Sequence, residues 1–524
     1  MARPSTTRAV LAALLAASTV FAAAATRAAA DPPTQAIAEV ETGRLAGEVL
    51  GTVAIYKNVP FAAPPLGALR WAPPHPAKSW TGMRDATAYG PACPQTINAD
   101  GRPNAGGYVG PTSEDCLSLN IFAPFPAGVF PRKAPVMVWI YGGGNTAGAN
   151  SLPSTDGRAF ARDGVIVVEV GYRIGALGFF AHPALTRAAG PHEPLVSYGI
   201  MDQIAALKWV RRNIAAFGGD ANNVTVFGES AGGADVLTLM AAPSARGLFQ
   251  KAAVESGGGW SAPVTLDGAE AAGRSTAVQL GLPDDATLDQ LRALPVEALV
   301  RVGGRVDLGP RARIEPVIDG RLLAESTTQA FARGHAARVP LLIGSNSYEA
   351  SLMTSSDLFN LPNGLAVAYA GYPPNGSPSP RDQAVFTDSV MGAPARWIAG
   401  KASNRPRSWL YYFSYVRVVR RGRIPGANHA SEIPYVFDTQ GLVPNYSAEI
   451  TDEDRAMARV VHSCWVAFAK RGVPACAAAP PWPAYSRAAD QLMEFGLSTG
   501  VRTHFRTPQL DVVQATQAAV LGGR

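Results

Sequence analysis

The stretch "NVTVFGESAGGAD", residues 223–235, places a serine between two glycines directly after an apolar strand pattern. A very tight turn from a strand into a helix leaves its middle residue strained and projecting. Gly228 and Gly232 omit the side chains that would collide as the two elements close together. A G-x-S-x-G sequence alone is a weak signal, but with a strand before it and a helix after it the pattern indicates a nucleophile elbow. We therefore predict Ser230 as a nucleophile, against the alternative of a serine that only caps the helix.

Apolar runs alternate with amphipathic helical patterns on both sides of this turn, which predicts an α/β fold with a mainly parallel central sheet and helices on both faces. In such sheets the reactive groups lie in loops at the carboxyl ends of the strands. Two stretches, around Leu291 and from Ser351 to Ser403, fit the sheet pattern poorly and are predicted to be helical or loop insertions over the site. The strand candidates are "APVMVWIYGGG", "GVIVVEVGYR", "NVTVFG", "KAAVESG", "VPLLIGSN" and "WLYYFSYV".

The N-terminal 30 residues have the pattern of a secretory signal peptide. Arg3 and Arg8 precede an Ala/Leu/Val-rich run, and the small residues at 28–30 offer a cleavage site. The alternative is an N-terminal helix of the fold. No proline/serine linker divides residues 31–524, which we predict to be one domain, secreted or periplasmic. No later stretch is long and apolar enough for a membrane span.

Composition excludes several other classes of protein. The 524 residues are 47% hydrophobic and 16% charged, which allows a large core and argues against a disordered chain. The net charge is +6, and the densest basic run, "RVVRRGR" at 417–423, has no interleaved aromatic residues. We therefore expect no nucleic-acid partner.

Four cysteines in an exported chain predict two disulfides, with three possible pairings. The pairings that close local loops are Cys93–Cys116 and Cys464–Cys476. Neither pair has zinc-ligand spacing with nearby histidines. We expect neither a metal ion nor a cofactor.

A serine nucleophile needs a histidine base, which in this architecture follows the acid along the chain. His429 stands in "IPGANHASEIPYVF", a loop that follows the strand candidate "WLYYFSYV". The alternatives are less suitable: His335 precedes the last good acid candidate at a strand end, His462 lies in a helical pattern, and His504 has no glycine-rich loop around it. His429 is therefore the predicted base.

The acid that orients the base is less clearly marked. Glu349 follows "VPLLIGSNSY" just beyond a strand end, Asp357 lies farther into the insertion, and Asp319 precedes the strand. From spacing alone, Glu349 is as compatible with a surface carboxylate or helix cap as with the acid. The expected role is to hold the tautomer of the base and stabilise its protonated form.

Acyl transfer also needs amide donors for the developing oxyanion. The run "WIYGGGNTAG" supplies Gly142, Gly143 and Gly144 after a strand, and the amide of Ala231 follows the nucleophile. The alternative is a glycine loop that only turns the chain.

Taken together, these residues resemble the type B carboxylesterase family of α/β-hydrolases over nearly the whole mature chain. The blocks that carry the resemblance are "FAAPPLGALRWAPP", "SEDCLSLNIF", "VWIYGGG", "GYRIGALGFF", "DQIAALKWVRRNIAAFGGDANNVTVFGESAGG" and "NHASEIPYVF". The resemblance implies the nucleophile Ser230, the acid Glu349, the base His429 and the oxyanion donors Gly143, Gly144 and Ala231.

The resemblance also supports the Cys93–Cys116 disulfide, and it assigns Glu229 and Ser256 to positions that tune the site electrostatically or by hydrogen bonding, with structural packing as the alternative. One departure is Asn145, which stands where an aromatic residue is common, a change expected to alter the acyl pocket. The Cys93–Cys116 loop contains no tryptophan, so choline esters are not an expected substrate.

The leading hypothesis is a serine hydrolase that cleaves small-molecule carboxylic esters through an acyl-enzyme. The alternatives are a lipase, amidase or polyester hydrolase with the same triad, and a catalytically inactive adhesion or binding module of the same fold. For an esterase, activity should fall as His429 becomes protonated below neutral pH.

Overall fold

A computed structural model describes residues 35–126, 133–260, 263–303, 315–353, 363–403, 407–444 and 449–517. The predicted signal peptide and Asp357 lie outside the described residues. No helix in the described part of the chain is both long and apolar enough to span a bilayer.

Thirteen strands of the described residues form one mixed sheet with the order β1-β2-β3-β5-β7-β6-β8-β9-β10-β11-β12-β13, and β4 pairs with β2. The strands are β1 Gln35–Val40, β2 Gly43–Leu50, β3 Val53–Pro60, β4 Met83–Asp85, β5 Ser118–Pro124, β6 Ala134–Ile140, β7 Ile166–Val170, β8 Gly219–Glu229, β9 Lys251–Glu255, β10 Leu341–Asn346, β11 Ser408–Phe413, β12 Gln491–Phe495 and β13 Gly500–Thr503.

The centre of this sheet is parallel. From β7 through β6, β8, β9, β10 and β11 to β12 every neighbouring pair runs in the same direction, whereas β1, β2, β3, β5 and β7 pair antiparallel in turn, as do β12 and β13. Strands β7, β9 and β10 are buried along their whole length, as expected for strands covered on both faces. The predicted α/β fold is confirmed, with an antiparallel N-terminal part that the sequence analysis did not identify.

The α-helices connect and cover the strands. They are α1 Arg158–Arg162, α2 Gly175–Phe179, α3 Pro183–Ala188, α4 Tyr198–Asn213, α5 Ala231–Ala241, α6 Leu266–Gln279, α7 Leu288–Arg292, α8 Val296–Gly303, α9 Thr327–Arg333, α10 Asn363–Ala368, α11 Pro380–Thr387, α12 Ala393–Ala402, α13 Ile433–Val436, α14 Asp452–Arg471 and α15 Thr507–Thr516. Short 3₁₀ turns lie at Gly67–Leu69, Pro153–Thr155, Ile214–Phe217, Pro243–Ala245, Glu349–Leu352 and Val418–Arg420, and a π-helical turn lies at Asp388–Gly392.

The ends of the longest helix, α14, are set by local chemistry. At its start the Thr451 hydroxyl accepts a hydrogen bond from the amide of Asp454 at 3.2 Å, and the Asp454 carboxylate accepts one from the Thr451 amide at 3.0 Å. This reciprocal capping box satisfies amides that have no partner within the helix. At its end the chain turns at Gly472 with φ 68°, a left-handed conformation that glycine adopts at little cost.

Aromatic side chains pack the central strands together beneath the carboxyl edge of the sheet. Trp139 on β6 lies 4.8 Å from Phe227 on β8, between ring centroids, and 5.0 Å from Phe437. Phe227 and Phe437 stack at 5.5 Å. These contacts fix the strands that precede the glycine-rich loop and the G-x-S-x-G turn against the segment that follows the "NHASE" loop.

The predicted insertions are mainly helical where the structure describes them. Helices α6, α7 and α8 follow β9, and helices α10, α11 and α12 follow β10. The second insertion reaches the edge of the sheet, because the Thr387 hydroxyl accepts a hydrogen bond from the amide of Ala350 at 3.2 Å.

The four cysteines form two disulfides, Cys93–Cys116 and Cys464–Cys476, which are the pairs that loop length favours. The first closes a loop of the N-terminal part of the chain. The second ties the C-terminal half of α14 to the segment that follows it.

Candidate active site

Ser230 occupies the turn between β8 and α5 with φ 56° and ψ −126°, a strained conformation for a residue with a side chain. Its amide donates a hydrogen bond to the carbonyl oxygen of Glu255 at 2.9 Å. A Cβ at Gly232 would lie 2.1 Å from the carbonyl oxygen of Ile140, and one at Gly228 would lie 2.6 Å from the same atom. Both flanking positions therefore require glycine, as the sequence pattern indicated.

The two loops that follow β10 and β11 are joined to each other. Tyr348 and Asn428 form a parallel β-bridge, and the amide of His429 donates a hydrogen bond to the Ser351 hydroxyl at 2.9 Å. This pairing brings the carboxylate of Glu349 within 2.5 Å of His429, between Oε2 and Nδ1. Residues 80 positions apart in the chain thus make a direct contact at the sheet edge.

The Glu349 carboxylate is held from its other side. Glu349 has no exposed surface, and its Oε1 accepts hydrogen bonds from the Ser256 hydroxyl at 2.6 Å and the Asn346 amide at 2.7 Å. The remaining oxygen faces Nδ1 of His429. A carboxylate fixed in this way orients the ring so that Nδ1 carries its proton towards Glu349, which leaves Nε2 to accept one.

A second carboxylate lies on the Nε2 side of the ring. Glu229 Oε1 is 3.0 Å from His429 Nε2, although neither atom has a hydrogen bond of suitable geometry within the structure. Burial would lower the pKa of His429, but the negative charges of Glu229 and Glu349 outweigh it and raise that pKa to about 10. Burial also raises the pKa of the Glu229 carboxyl to about 8.

The hydroxyl of Ser230 makes no hydrogen bond to a described residue.

These charges predict a pH dependence. This raised pKa keeps His429 protonated to a higher pH than an ordinary imidazole. Activity that needs the neutral ring is therefore lost as the pH falls through the raised value, which is higher than the limb below neutral pH expected from the sequence. Glu229→Gln removes one of the charges that raise the pKa and should move the acid limb of the kcat/KM profile to lower pH by about one unit or more. The measurement is kcat/KM for a neutral ester across the pH range in wild type and variant.

The matched control is Glu453→Gln, which neutralises a carboxylate whose side chain is 52% exposed. The acid limb of this control should coincide with that of the wild type. Coincident limbs for wild type and Glu229→Gln would show that the Glu229 charge does not act on the imidazole.

The glycine-rich loop after β6 lies against the G-x-S-x-G turn. A Cβ at Gly142 would lie 2.9 Å from the Cβ of Ser230. Gly143 and Gly144 have φ values of 109° and 66°, and no described residue accepts a hydrogen bond from their amides or from the amide of Ala231. Three amide donors next to the serine are thus left without a partner in the described part of the chain, as an oxyanion site requires.

Two further carboxylates that were not predicted from the sequence are buried near these residues. Glu432 is 1% exposed, and one of its oxygens accepts a hydrogen bond from the Asn346 side chain; burial raises its pKa to about 7. Glu255 is fully buried, its Oε1 accepts a hydrogen bond from Trp465 Nε1 at 2.7 Å, and burial raises its pKa well above the ordinary range. Their places in the sequence could have indicated them, because Glu432 follows His429 by three residues and Glu255 directly precedes Ser256.

The alternative histidines take part in other contacts. His335 lies on the surface, with Nδ1 2.6 Å from Glu325 Oε1, and Nδ1 of His462 lies 2.7 Å from the carbonyl oxygen of Val436. His504 is exposed, at the turn after β13. None of these three is among the residues that contact Glu349.

The alternative acid Asp319 organises a loop. Its Oδ1 accepts hydrogen bonds from the amides of Arg321, Leu322 and Leu323 at 2.8–3.0 Å, and its Oδ2 accepts one from the amide of Leu195.

Among the described residues no group of three or more His, Cys, Asp or Glu side chains is arranged to hold a metal ion.

The Asn145 side chain is oriented differently from what the resemblance implied. Its side chain is 3% exposed, and Nδ2 donates a hydrogen bond to Asp235 Oδ1 at 3.2 Å. The side chain is therefore directed into the protein, because the buried carboxylate provides a partner for its amide. The expectation that it alters the acyl pocket directly does not fit this orientation.

Comparison with known proteins gives consistent results. A model described as "Carboxylesterase family" matches residues 34–364 and 375–513. The chain is 36% identical over 479 residues to para-nitrobenzyl esterase of Bacillus subtilis (strain 168), which covers 86% of this chain and 93% of that protein. It is 34% identical over 493 residues to fumonisin B1 esterase of Sphingopyxis macrogoltabida, covering 88% and 87%. A solved structure of a PNB esterase superposes with a TM-score of 0.78 at 33% identity, covering 92% of this chain and 100% of the other.

Proposed function

Because this chain belongs to the carboxylesterase family and is a carboxylic ester hydrolase, we propose that Ser230 is its nucleophile, His429 its general base and Glu349 the carboxylate that orients the base. The observation that carries the proposal is the 2.5 Å contact between Glu349 Oε2 and His429 Nδ1 at the same sheet edge as the strained Ser230 turn. A base oriented by a buried acid next to a projecting hydroxyl is the arrangement that activates a serine.

In the first half of the reaction the Ser230 hydroxyl attacks the carbonyl carbon of the ester, and His429 Nε2 takes the hydroxyl proton. The carbonyl oxygen becomes an oxyanion, which accepts hydrogen bonds from the amides of Gly143, Gly144 and Ala231. The tetrahedral intermediate then breaks its bond to the alcohol oxygen. The imidazolium returns its proton to that oxygen, so that the alcohol leaves and an acyl-serine remains.

In the second half a water molecule takes the place of the alcohol. His429 removes one proton from the water as its oxygen attacks the acyl carbon, and the same three amides bind the oxyanion. Collapse of this intermediate breaks the bond to Ser230 Oγ, which regains a proton from His429. The products are a carboxylic acid and the free enzyme.

We propose small-molecule carboxylic esters as substrates, because the family to which the chain belongs consists of ester hydrolases. Similarity to para-nitrobenzyl esterase supports a para-nitrobenzyl ester as the first test substrate.

A fluorophosphonate probe tests the assignment of the nucleophile. We expect attack of Ser230 Oγ on phosphorus, loss of fluoride, and a single adduct on the peptide that contains Ser230, as found by mass spectrometry. The matched control, Ser230→Ala, should fold and remain unlabelled. Labelling of the control at the wild-type rate, or an adduct on a different residue, would overturn the proposal, as would a folded wild type that does not react.

We further propose that residues 1–30 are removed on export, so that the mature protein is secreted or periplasmic. The two disulfides support this location, because they persist in oxidising compartments. The intact mass of the protein recovered outside the cytoplasm should correspond to a chain that begins near Asp31. A full-length mass there would contradict the proposal.

A further inference from the structure

Asn145 directly follows the three glycines of the oxyanion loop, yet it is built into the core. Its φ is 56°, a left-handed conformation that asparagine tolerates better than most residues. Its carbonyl oxygen accepts a hydrogen bond from the amide of Gly175 at 2.6 Å, and the Tyr172 hydroxyl lies 3.5 Å from its side-chain Oδ1. The end of the glycine-rich loop is thus fixed by both the backbone and the side chain of one residue.

The partner of Asn145 lies on the other half of the site. Asp235 is fully buried on α5, the helix that begins with Ala231. Its Oδ1 accepts a hydrogen bond from Asn145 Nδ2 at 3.2 Å, and its Oδ2 accepts one from Gln203 Nε2 at 2.6 Å. Each carboxylate oxygen of Asp235 accepts a hydrogen bond, so this side chain links α5 both to α4 and to the glycine-rich loop.

We propose that the hydrogen bond between Asn145 and Asp235 is a positioning contact that sets the distance between the two halves of the oxyanion site. This inference rests on the proposed function. The amides of Gly143 and Gly144 come from the loop, whereas the Ala231 amide comes from α5. The bond is the only side-chain hydrogen bond that the described residues make between the loop segment 142–146 and α5.

This contact adds to the hydrogen bonds within the loop, where the Gly143 carbonyl oxygen accepts from the amides of Thr146 and Ala147 at 3.1 Å. Gly143 and Gly144 have no side chains to restrict them, and their amides must nevertheless be in place before the oxyanion forms. A displacement of about 1 Å in such a site can lower the rate by about 10²-fold. These amides stabilise the oxyanion more strongly than the carbonyl oxygen of the bound ester. Loss of the contact should therefore lower kcat more than it raises KM.

Three variants test the proposal. Asn145→Ala removes the donor and should lower kcat by about 10²-fold while KM changes by less than about threefold. Asn145→Asp places two carboxylates in contact and should lower kcat at least as much. The exchange Asn145→Asp with Asp235→Asn restores a donor and an acceptor, since the new amide can donate to residue 145 and accept from Gln203. We expect it to recover most of the lost kcat.

A trifluoromethyl ketone supplies a second measurement. Addition of Ser230 to this ketone forms a hemiketal oxyanion, so its affinity should fall in Asn145→Ala by a factor close to the loss in kcat and recover in the exchanged pair. A merely structural role would not produce this parallel. The matched control is Thr155→Ala, which removes a buried hydrogen bond of 2.9 Å to Glu169 and should lower the denaturation midpoint while leaving kcat unchanged.

The results distinguish failure of the positioning role from failure of the proposed nucleophile. If kcat and ketone affinity of folded Asn145→Ala stay within about twofold of wild type, or if the loss appears in KM, the positioning role is wrong. The role is also wrong if the exchanged pair folds but is no better than Asn145→Asp. If Asn145→Ala does not fold, Asp235→Ala removes the acceptor of the same hydrogen bond from the helix and is judged by the same criteria. Failure of wild-type Ser230 to react with a fluorophosphonate would instead overturn the proposed nucleophile.

Discussion

His429→Ala should lower kcat/KM for ester hydrolysis by about 10⁴- to 10⁶-fold, a loss of the size seen when the base of a serine nucleophile is removed. Without the imidazole the Ser230 hydroxyl has no acceptor for its proton, and the fixed carboxylate of Glu349 has no ring to orient. The oxyanion amides remain in place and leave some activity above that of water. Initial rates with a para-nitrobenzyl ester, measured at saturating and at low substrate, give both kinetic constants.

His335→Ala is the matched control for this prediction. It removes an imidazole that also contacts a glutamate, at 2.6 Å, but on the surface. We expect its kcat/KM to equal that of the wild type. Activity of His429→Ala within about tenfold of wild type, in a preparation with a normal unfolding midpoint, would mean that another residue is the base.

Gly232→Ala should lower the free energy of unfolding by about 3 kcal/mol, the upper end of the usual cost of overpacking. The added methyl group would lie 2.1 Å from the carbonyl oxygen of Ile140 and 2.6 Å from that of Tyr141. Both are backbone atoms at the end of β6, so neither can rotate away as a flexible side chain would. Relief requires that β6 and α5 move apart, which also disturbs the loop that carries Gly143. Urea unfolding followed by circular dichroism measures the change.

Gly371→Ala adds the same methyl group where no atom lies within 4 Å of the new Cβ. Its unfolding midpoint should differ little from that of the wild type. Equal midpoints for the two alanine variants would contradict the packing argument, because they would show that the strand and helix accommodate the group without strain.

Local patterns predicted much of the proposed site. The G-x-S-x-G turn was recognisable because a tight strand–helix connection needs glycine where another backbone approaches, and the structure has those approaches at Gly228 and Gly232. His429 was identified by its place after an apolar strand. For Glu349, spacing alone left the choice open, since its proposed role depends on a contact across 80 residues of chain.

Other features depend on tertiary contacts that no local pattern records. The burial of Glu229 and Glu432 beside His429 follows from how the carboxyl ends of β8 and β10 meet the loop after β11. The direction of the Asn145 side chain depends on Asp235, which is 90 residues away. The antiparallel strands β1 to β3 were not among the strand candidates, which were apolar runs that alternate with helical patterns.

The two helical insertions leave the sheet after β9 and β10 and return before β10 and β11, respectively. Their attachment differs. Thr387 in the second insertion accepts a hydrogen bond from Ala350, next to Glu349, whereas the first insertion is bonded to Arg70, which donates to the carbonyl oxygens of Arg292 and Leu294. For directed evolution, the segment 263–303 is therefore the better region to diversify or to exchange with that of a relative. Selection for new acyl or alcohol groups can then proceed there without remodelling the machinery that performs the chemistry.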